Sequence, residues 1–334
     1  MGLHLPSFSD VERAAERLRG HVVRTPLLSS SQLNALAGRR VVIKPECLQH
    51  TGSFKFRGAF NRLCQLTAKE RAAGVVAWSS GNHAQGVALA AQLLNIPARI
   101  VMPADAPQIK TRNTLALGAE VVAYDRYSED REVIARDLVM RDGGTIVPSY
   151  DDADIIAGQG TVGLELLQDA EPPEALLVCC SGGGLVAGCA LAVEGLNAST
   201  AVFSVEPAEF NDHERSLRNG IRERVEPGST SICDALLAPT PGELTFAINQ
   251  QILAGGLSVS DEEVLLAMGF AFEHLKLVLE PGGAVALAAL LSGKVPEHYR
   301  SVGIILSGGN VDPAIFAAAI KAVSNSQSNP EGNL

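Results

Sequence analysis

Large rings are scarce in this chain: 4% of its 334 residues are aromatic, with one tryptophan among them. Glycine and alanine are abundant instead, which suits the close helix–sheet packing of an α/β protein. Positive charge is also lacking. Lys and Arg number 27 against 37 Asp and Glu, a net charge of −10, and without clustered cations a nucleic-acid surface is excluded. None of the six cysteines (Cys47, Cys64, Cys179, Cys180, Cys189 and Cys233) forms a CxxC pair, and most lie in apolar runs. Buried free thiols in a reducing compartment are the expectation. No basic stretch precedes an apolar one at the start, and no apolar run approaches the ~20 residues of a membrane span. A cytoplasmic protein with no membrane partner is expected. What is present is 46% hydrophobic and 19% charged residues, the balance of a globular chain with a large core. The length exceeds one typical domain, so one large or two interleaved domains are expected.

Strand and helix patterns alternate along the chain. Ser9-Asp10-Val11-Glu12 reads as a capping box opening a helix with Val11, Ala14, Ala15 and Leu18 on one face. A second helix is expected from Ser29 to Leu36, a strand at Arg40–Lys44, and a helix from Gly58 to Leu66 after a loop carrying Lys55. Strands at Val75–Trp78, Arg99–Met102 and Glu120–Ala123 alternate with helices at Ala84–Leu94 and Ile109–Leu117. The rhythm continues with a helix at Thr161–Leu167, strands at Ala175–Cys179 and Ala201–Val205, and a helix at Leu185–Glu194 between them. A helix from Asp261 to near Leu279, another at Ala284–Leu291 and a strand at Ser301–Leu306 follow. Such alternation predicts parallel, doubly wound sheets. Residues 71–145 read as a smaller domain inserted in a larger one made of 1–70 and 146–334, with a frayed tail after about Ser324.

Several loops could carry chemistry. Lys55 stands between Phe54 and Phe56, and a lysine desolvated by aromatic neighbours has a lowered pKa and becomes a nucleophile able to form a Schiff base. The alternative is that both rings point to the core and the lysine to water. Ser181-Gly182-Gly183-Gly184-Leu185, between strand and helix, reads equally as a phosphate cradle or a packing turn. It matches neither the dinucleotide nor the Walker fingerprint. Ser79-Ser80-Gly81-Asn82-His83 could bind a carboxylate or simply cap a helix. Ser307-Gly308-Gly309-Asn310 is a similar turn. His83 has no partner at a triad spacing. Glu206, Glu209 and Asp212 cluster in an acidic loop that a hard cation or plain solvent would suit.

Taken in order, Ser53-Phe54-Lys55-Phe56-Arg57-Gly58-Ala59, Ser79 to Gly86, Ser181 to Leu185, Glu280-Pro281-Gly282-Gly283-Ala284 and Ser307 to Asp312 resemble the fold-type II pyridoxal-phosphate enzymes (the tryptophan synthase β-like fold). Within these the serine/threonine dehydratase and serine racemase family is the most similar group. The resemblance spans about residues 10–322. It implies that Lys55 holds pyridoxal 5'-phosphate as a Schiff base and then acts as a base at Cα, with Phe54 beside the ring. It implies Asn82 at the ring's 3′ oxygen, Gly182, Gly183, Gly184 and Leu185 around the phosphate, and Ser307 facing the pyridine nitrogen. A neutral hydroxyl there weakens the ring as an electron sink, which limits transamination and leaves room for β-elimination. Ser79, Ser80, Gly81, Asn82 and His83 would surround the substrate carboxylate, with Ser80 opposite Lys55. Glu206, the Phe210 carbonyl and Asp212 match a site for Mg²⁺ (or Ca²⁺ or Mn²⁺) found in part of the family, and a homodimer is implied. Two departures stand out. Ser181 replaces the usual glycine, and Cys233-Asp234-Ala235 stands where Ala-Asp-Gly is common. Isoleucine feedback through a C-terminal regulatory domain is not expected.

The activity expected on this resemblance is a lyase that dehydrates L-threonine or L-serine to a 2-oxo acid and ammonia. Serine racemisation is a rival, with Ser80 as the second-face acid. So is dehydration of 3-hydroxyaspartate, with Arg136 a candidate for the extra carboxylate, or of a larger hydroxyectoine-type substrate. A β-replacement enzyme and a silent ligand-binding protein fit less well.

Overall fold

The computed structural model describes residues 4–79, 81–106 and 108–328. Among these, runs of Val, Ile and Leu without polar alternation form strands covered on both faces, as parallel sheets require. The strands are β1 (Arg40–Pro45), β2 (Val75–Trp78), β3 (Ala98–Pro103), β4 (Glu120–Tyr124), β5 (Thr145–Ile146), β6 (Ala175–Cys179), β7 (Ala201–Pro207), β8 (Gly255–Val259) and β9 (Ser301–Leu306). They make a five-stranded sheet in the order β1-β9-β6-β7-β8 and a four-stranded sheet in the order β4-β3-β2-β5. Every pairing is parallel. The α/β class with parallel sheets is therefore as expected.

Alternate residues of a strand face opposite sides, and the cores divide accordingly. Val75, Ala77, Ile100 and Met102 join a cluster with the buried face of helix Asn82–Leu94. Val76, Val101 and Tyr124 instead pack with Ala135 and Leu138 of helix Arg131–Asp142. Helices thus cover both faces of the smaller sheet. The larger sheet is filled on one side by the apolar helix Pro281–Leu291. Helix Ala153–Asp169 is buried along almost its whole length, its start capped by the Asp152 carboxylate.

Some elements differ from the sequence expectation. The helix after β1 begins at Lys55, not Gly58, because Phe54 already has helical torsions (φ −55°, ψ −20°). The capping box at the first helix is Ser7 with Asp10, slightly earlier than expected. The helix begun at Asp261 ends at Phe270, and a π-helical turn, Ala271–Leu275, leads to Lys276 at φ +58°. Helices Arg131–Asp142, Asp212–Asn219 and Glu243–Ile252 and strand β8 add to the expected set. The last helix, Pro313–Ser328, runs beyond Ser324, where composition suggested a frayed tail.

Candidate active site

Ligand sites in open parallel sheets lie beyond the carboxyl ends of the strands, and the loops singled out above leave those ends. Ser79 follows β2, Ser181 follows β6 and Ser307 follows β9. The Lys55 segment is tied to the β9 loop by Phe54 N–H donating to Ser307 O (3.1 Å) and Gly309 N–H donating to Gly52 O (2.9 Å). Phe54, Lys55, Ser79, Gly81, Asn82, His83, Gly182, Gly183, Gly184, Leu185 and Ser307 line one cavity of about 330 Å³. Ser80 lies outside the described residues. Loops far apart in the sequence thus converge on one space.

Lys55 occupies the first turn of its helix and is half-buried. Its Nζ donates to Ser149 O at 2.7 Å and sits 5.1 Å from the centre of the Phe54 ring. Desolvation lowers its pKa to about 8, against the opposing pull of Cys179 and Glu280. A substantial neutral fraction near physiological pH makes it a competent nucleophile. Phe56 is not a wall of this cavity. It is fully buried in the neighbouring core, edge-on to His50 at 5.2 Å and against Phe60 at 5.6 Å. Of the two aromatic neighbours in sequence, Phe54 alone borders the lysine's space.

Arg57 explains how the segment is held. Its guanidinium is fully buried and bidentate to two carboxylates, reaching Glu46 at 2.7 and 2.8 Å and Glu165 at 2.7 and 2.9 Å. Lys44 donates to Glu165 at 2.6 Å, and Thr25 Oγ1 to Glu46 at 2.7 Å. Two cations and two carboxylates satisfy one another behind the helix that starts at Lys55. Burial disfavours the Arg57 charge, but Glu46 and Glu165 overcome it and raise its pKa.

The glycine loop is packed too tightly for side chains. Gly183 has φ +94°, and a Cβ there would lie 2.9 Å from Asn249 Nδ2. A Cβ on Gly182 would strike the Tyr150 ring at 2.3 Å. Helix Gly184–Gly195 starts at this loop, so its first N–H groups lack carbonyl partners a turn earlier and point toward the cavity end. Ser181 Oγ accepts from Ala238 N–H at 3.0 Å, fastening the loop that carries Asp234 and Ala235 to the cavity wall.

Asn82 begins helix Asn82–Leu94. Its Nδ2 donates to Glu280 Oε1 at 2.5 Å, and its Oδ1 accepts from Asn310 Nδ2 at 2.7 Å. The second N–H of its amide remains for a cavity ligand. Glu280 is a site residue without an assigned role in the sequence reading, where it marked only a helix start. Its carboxyl is buried and lines the cavity. Burial, then the Asp234 charge, push it up to about 8, against Asn82, Lys110 and Lys55. Between pH 4.5 and 8 the folded chain therefore keeps a proton that the unfolded chain loses. Stability falls as pH rises through that window. Glu280→Gln removes this dependence, so its melting temperature relative to wild type is expected to be higher at pH 8 than at pH 5, as scanning calorimetry would show.

His83 turns its ring away from the role expected of it. Nε2 pairs with Val147 O at 2.9 Å, which requires a proton there and leaves Nδ1 as a buried acceptor without a partner among the described residues. Burial, then the Lys55 charge, hold its pKa near 3, so the ring is neutral. A carboxylate at this loop would meet the His83 backbone N–H in the first turn of the helix rather than the ring.

The other expected residues lie apart. Glu206 is at the end of β7, outside the cavity, and accepts from the N–H groups of His213 (3.0 Å) and Glu214 (2.7 Å). Asp212 is buried and its Oδ2 has no hydrogen-bond partner among the described residues. Among the described residues no group of three or more His, Cys, Asp or Glu side chains is placed to hold a metal ion. Arg136 does not line the cavity. It is exposed and paired with Glu132 at 3.8 Å. The cations at the cavity, beside Lys55, are Lys110, Arg126 and Arg131.

Comparison with known proteins agrees with this geometry. The chain is 47% identical to an L-threo-3-hydroxyaspartate ammonia-lyase of Pseudomonas sp. over 96% of its length and all of that protein. It is 43% identical to the serine racemase of Schizosaccharomyces pombe, over 94% of this chain and 97% of the other. A solved serine racemase of Dictyostelium discoideum superposes with a TM-score of 0.87 at 36% identity, covering 92% of this chain and 99% of that one. With the sequence profile of that family matching residues 18–308, the chain belongs to the pyridoxal-phosphate dependent enzymes.

Proposed function

We propose that the chain is an ammonia-lyase that removes water from a β-hydroxy amino acid, releasing a 2-oxo acid and ammonia, and that it favours 3-hydroxyaspartate over L-serine and L-threonine. The observation that carries this reading is one cavity joining a lysine of lowered pKa, a glycine anion cradle and a cationic rim. The 47% identical relative bears the name of a 3-hydroxyaspartate lyase, and a second carboxylate on the substrate gives that rim something to bind.

The residues present fit pyridoxal phosphate. Gly182, Gly183 and Gly184 pack too closely against Tyr150, Asn249 and His213 to carry side chains, so backbone rather than side chains lines this end of the cavity, and N–H groups at the helix start would meet the phosphate. Leu185 and Phe54 would flank it, Lys55 would hold its carbonyl carbon, Asn82 the ring oxygen, and Ser307, buried beside Cys179, the ring nitrogen. When bound, the cofactor supplies the electron sink that stabilises charge at the substrate Cα. The chain's own residues do the rest. Ser79, Ser80, Gly81, Asn82 and His83 bind the α-carboxylate, Lys55 Nζ takes the Cα proton, and Ser80 is the proposed proton-handling group for the second face. The sheets support a division into a smaller unit at 71–145 and a larger one at 1–70 and 146–334, with the cavity between them.

A divalent cation is part of this proposal. The partnerless Asp212 oxygen and the buried Glu206 carboxylate suit a hard cation if main-chain carbonyls such as Phe210 complete the set. A homodimer in the cytoplasm is proposed likewise. Sedimentation reads the oligomeric state.

Purified protein supplied with pyridoxal phosphate, with and without Mg²⁺, is expected to release oxo acid and ammonia from L-threo-3-hydroxyaspartate with a kcat/KM about tenfold above that for L-serine or L-threonine. No oxo acid from any of the three would sink the lyase reading. D-serine exceeding pyruvate from L-serine would favour the racemase instead.

A further inference from the structure

We propose that Lys110 is the specificity-determining cation for the second carboxylate of a dicarboxylic substrate, and that Asp234 occupies that carboxylate's place on Lys110 until such a substrate arrives. This deepens the reading of a 3-hydroxyaspartate lyase and rests on it. Lys110 belongs to the helix Gln108–Ala116 beside the smaller sheet, and Asp234 to a short turn, Asp234–Leu236, beside the larger one. They are 124 residues apart in sequence, yet Nζ reaches Asp234 Oδ2 at 2.5 Å across the cavity.

The burial of the two partners is unequal. The Lys110 side chain is 11% exposed and that of Asp234 52%. A lysine this buried needs an anion, because an ammonium taken out of water without a partner is strongly disfavoured. The aspartate has no such need. It can turn into solvent at little cost once another carboxylate has taken its position. One carboxylate then replaces another on the same cation, and the buried ammonium stays paired throughout.

Location makes the substrate's carboxylate the natural replacement. Lys110 Nζ lies 3.8 Å from where a Cβ on Gly81 would stand, next to the loop proposed to hold the α-carboxylate. Two carboxylates separated by two carbons would span that loop and Lys110. Arg126, paired with Asp105 at 2.7 and 2.8 Å, and Arg131 at the rim are both exposed, so solvent screens their charge more than that of Lys110. Serine and threonine bring no second carboxylate and leave the Lys110–Asp234 pair closed. Asp234 thus acts against monocarboxylic substrates only by failing to be displaced, and it competes directly with dicarboxylic ones.

The test uses the holoenzyme with L-threo-3-hydroxyaspartate and L-serine, together with calorimetric binding of succinate, which reads the subsite without turnover. Lys110→Met is expected to lower the ratio of kcat/KM for hydroxyaspartate over serine by about tenfold or more and to weaken succinate binding equally. Lys110→Arg, which keeps the cation, is expected to restore most of that ratio. Asp234→Asn is expected to tighten succinate about threefold by removing the competitor. Equal losses on both substrates in Lys110→Met, or succinate binding unmoved by either variant, would overturn the proposal. Wild-type protein that binds succinate and responds to both variants but turns over neither amino acid would leave the subsite standing and refute the lyase reading.

Discussion

Lys55→Ala is expected to cut turnover of any β-hydroxy amino acid by at least about a thousandfold, since it removes both the attachment point and the base from one position. The expectation follows from how little else in the cavity can take the Cα proton. His83 is neutral with its Nε2 proton committed to Val147 O, and the Glu280 carboxyl is engaged by the Asn82 amide. Cys179 borders the cavity, but burial pushes its thiol up to about 11. Lys55, lowered to about 8, opens into the cavity with a single hydrogen bond, to Ser149 O, holding its ammonium. The variant should also lose the visible absorbance of covalently attached cofactor while keeping its melting temperature within a few degrees of wild type. That stability is expected because the ammonium makes one hydrogen bond, to Ser149 O. A variant turning over substrate at the wild-type rate would refute the assignment.

Arg57→Ala is expected to cost about 3–5 kcal/mol of stability, the largest loss from any single substitution considered. Deleting the guanidinium leaves Glu46, fully buried, with only the Thr25 hydroxyl, and Glu165 with only Lys44. Two carboxylates facing a cavity emptied of their shared partner cannot be rescued by water from outside. Arg57→Lys should recover part of the loss, because one ammonium cannot serve two carboxylates in parallel pairs. Scanning calorimetry is expected to show a lower melting temperature for both variants, in the order Ala below Lys below wild type. A melting temperature for Arg57→Ala equal to that of wild type would mean that the network adds nothing. Replacing all four ionic side chains by packed apolar ones is a different experiment, and its outcome is expected to be near neutral.

The fold was legible where one physical signal acted alone. β6 and β9 are unbroken apolar runs and lie where the sequence put them, at Ala175–Cys179 and Ser301–Leu306. Helix Arg131–Asp142 was missed because it buries only Ala135 and Leu138, too narrow a stripe to stand out. β8 was missed because it opens on two glycines and is half-buried at the edge of its sheet. At the cavity, each loop announced itself as a strand–turn–helix junction, and their order along the chain carried the resemblance. The side chains that arrive from elsewhere did not. Glu280 meets Asn82 across 198 residues and Lys110 meets Asp234 across 124, contacts with no local signature. The proximity of Phe56 to Lys55 in sequence misled for the reverse reason, since adjacent helical residues point in different directions.

The pairing of β1 with β9 has a consequence for biosynthesis. β1 touches no other strand of its sheet, and the Lys55 segment that follows it is pinned by Ser307, Gly308 and Gly309. A ribosome makes Lys55 long before Ser307. Until Ser307 is made, the nascent chain therefore carries Lys55 just after a strand that lacks its sheet partner, with no enclosure around it. The enclosure closes only when β9 slides in between β1 and β6, so the site cannot form before that strand has been made.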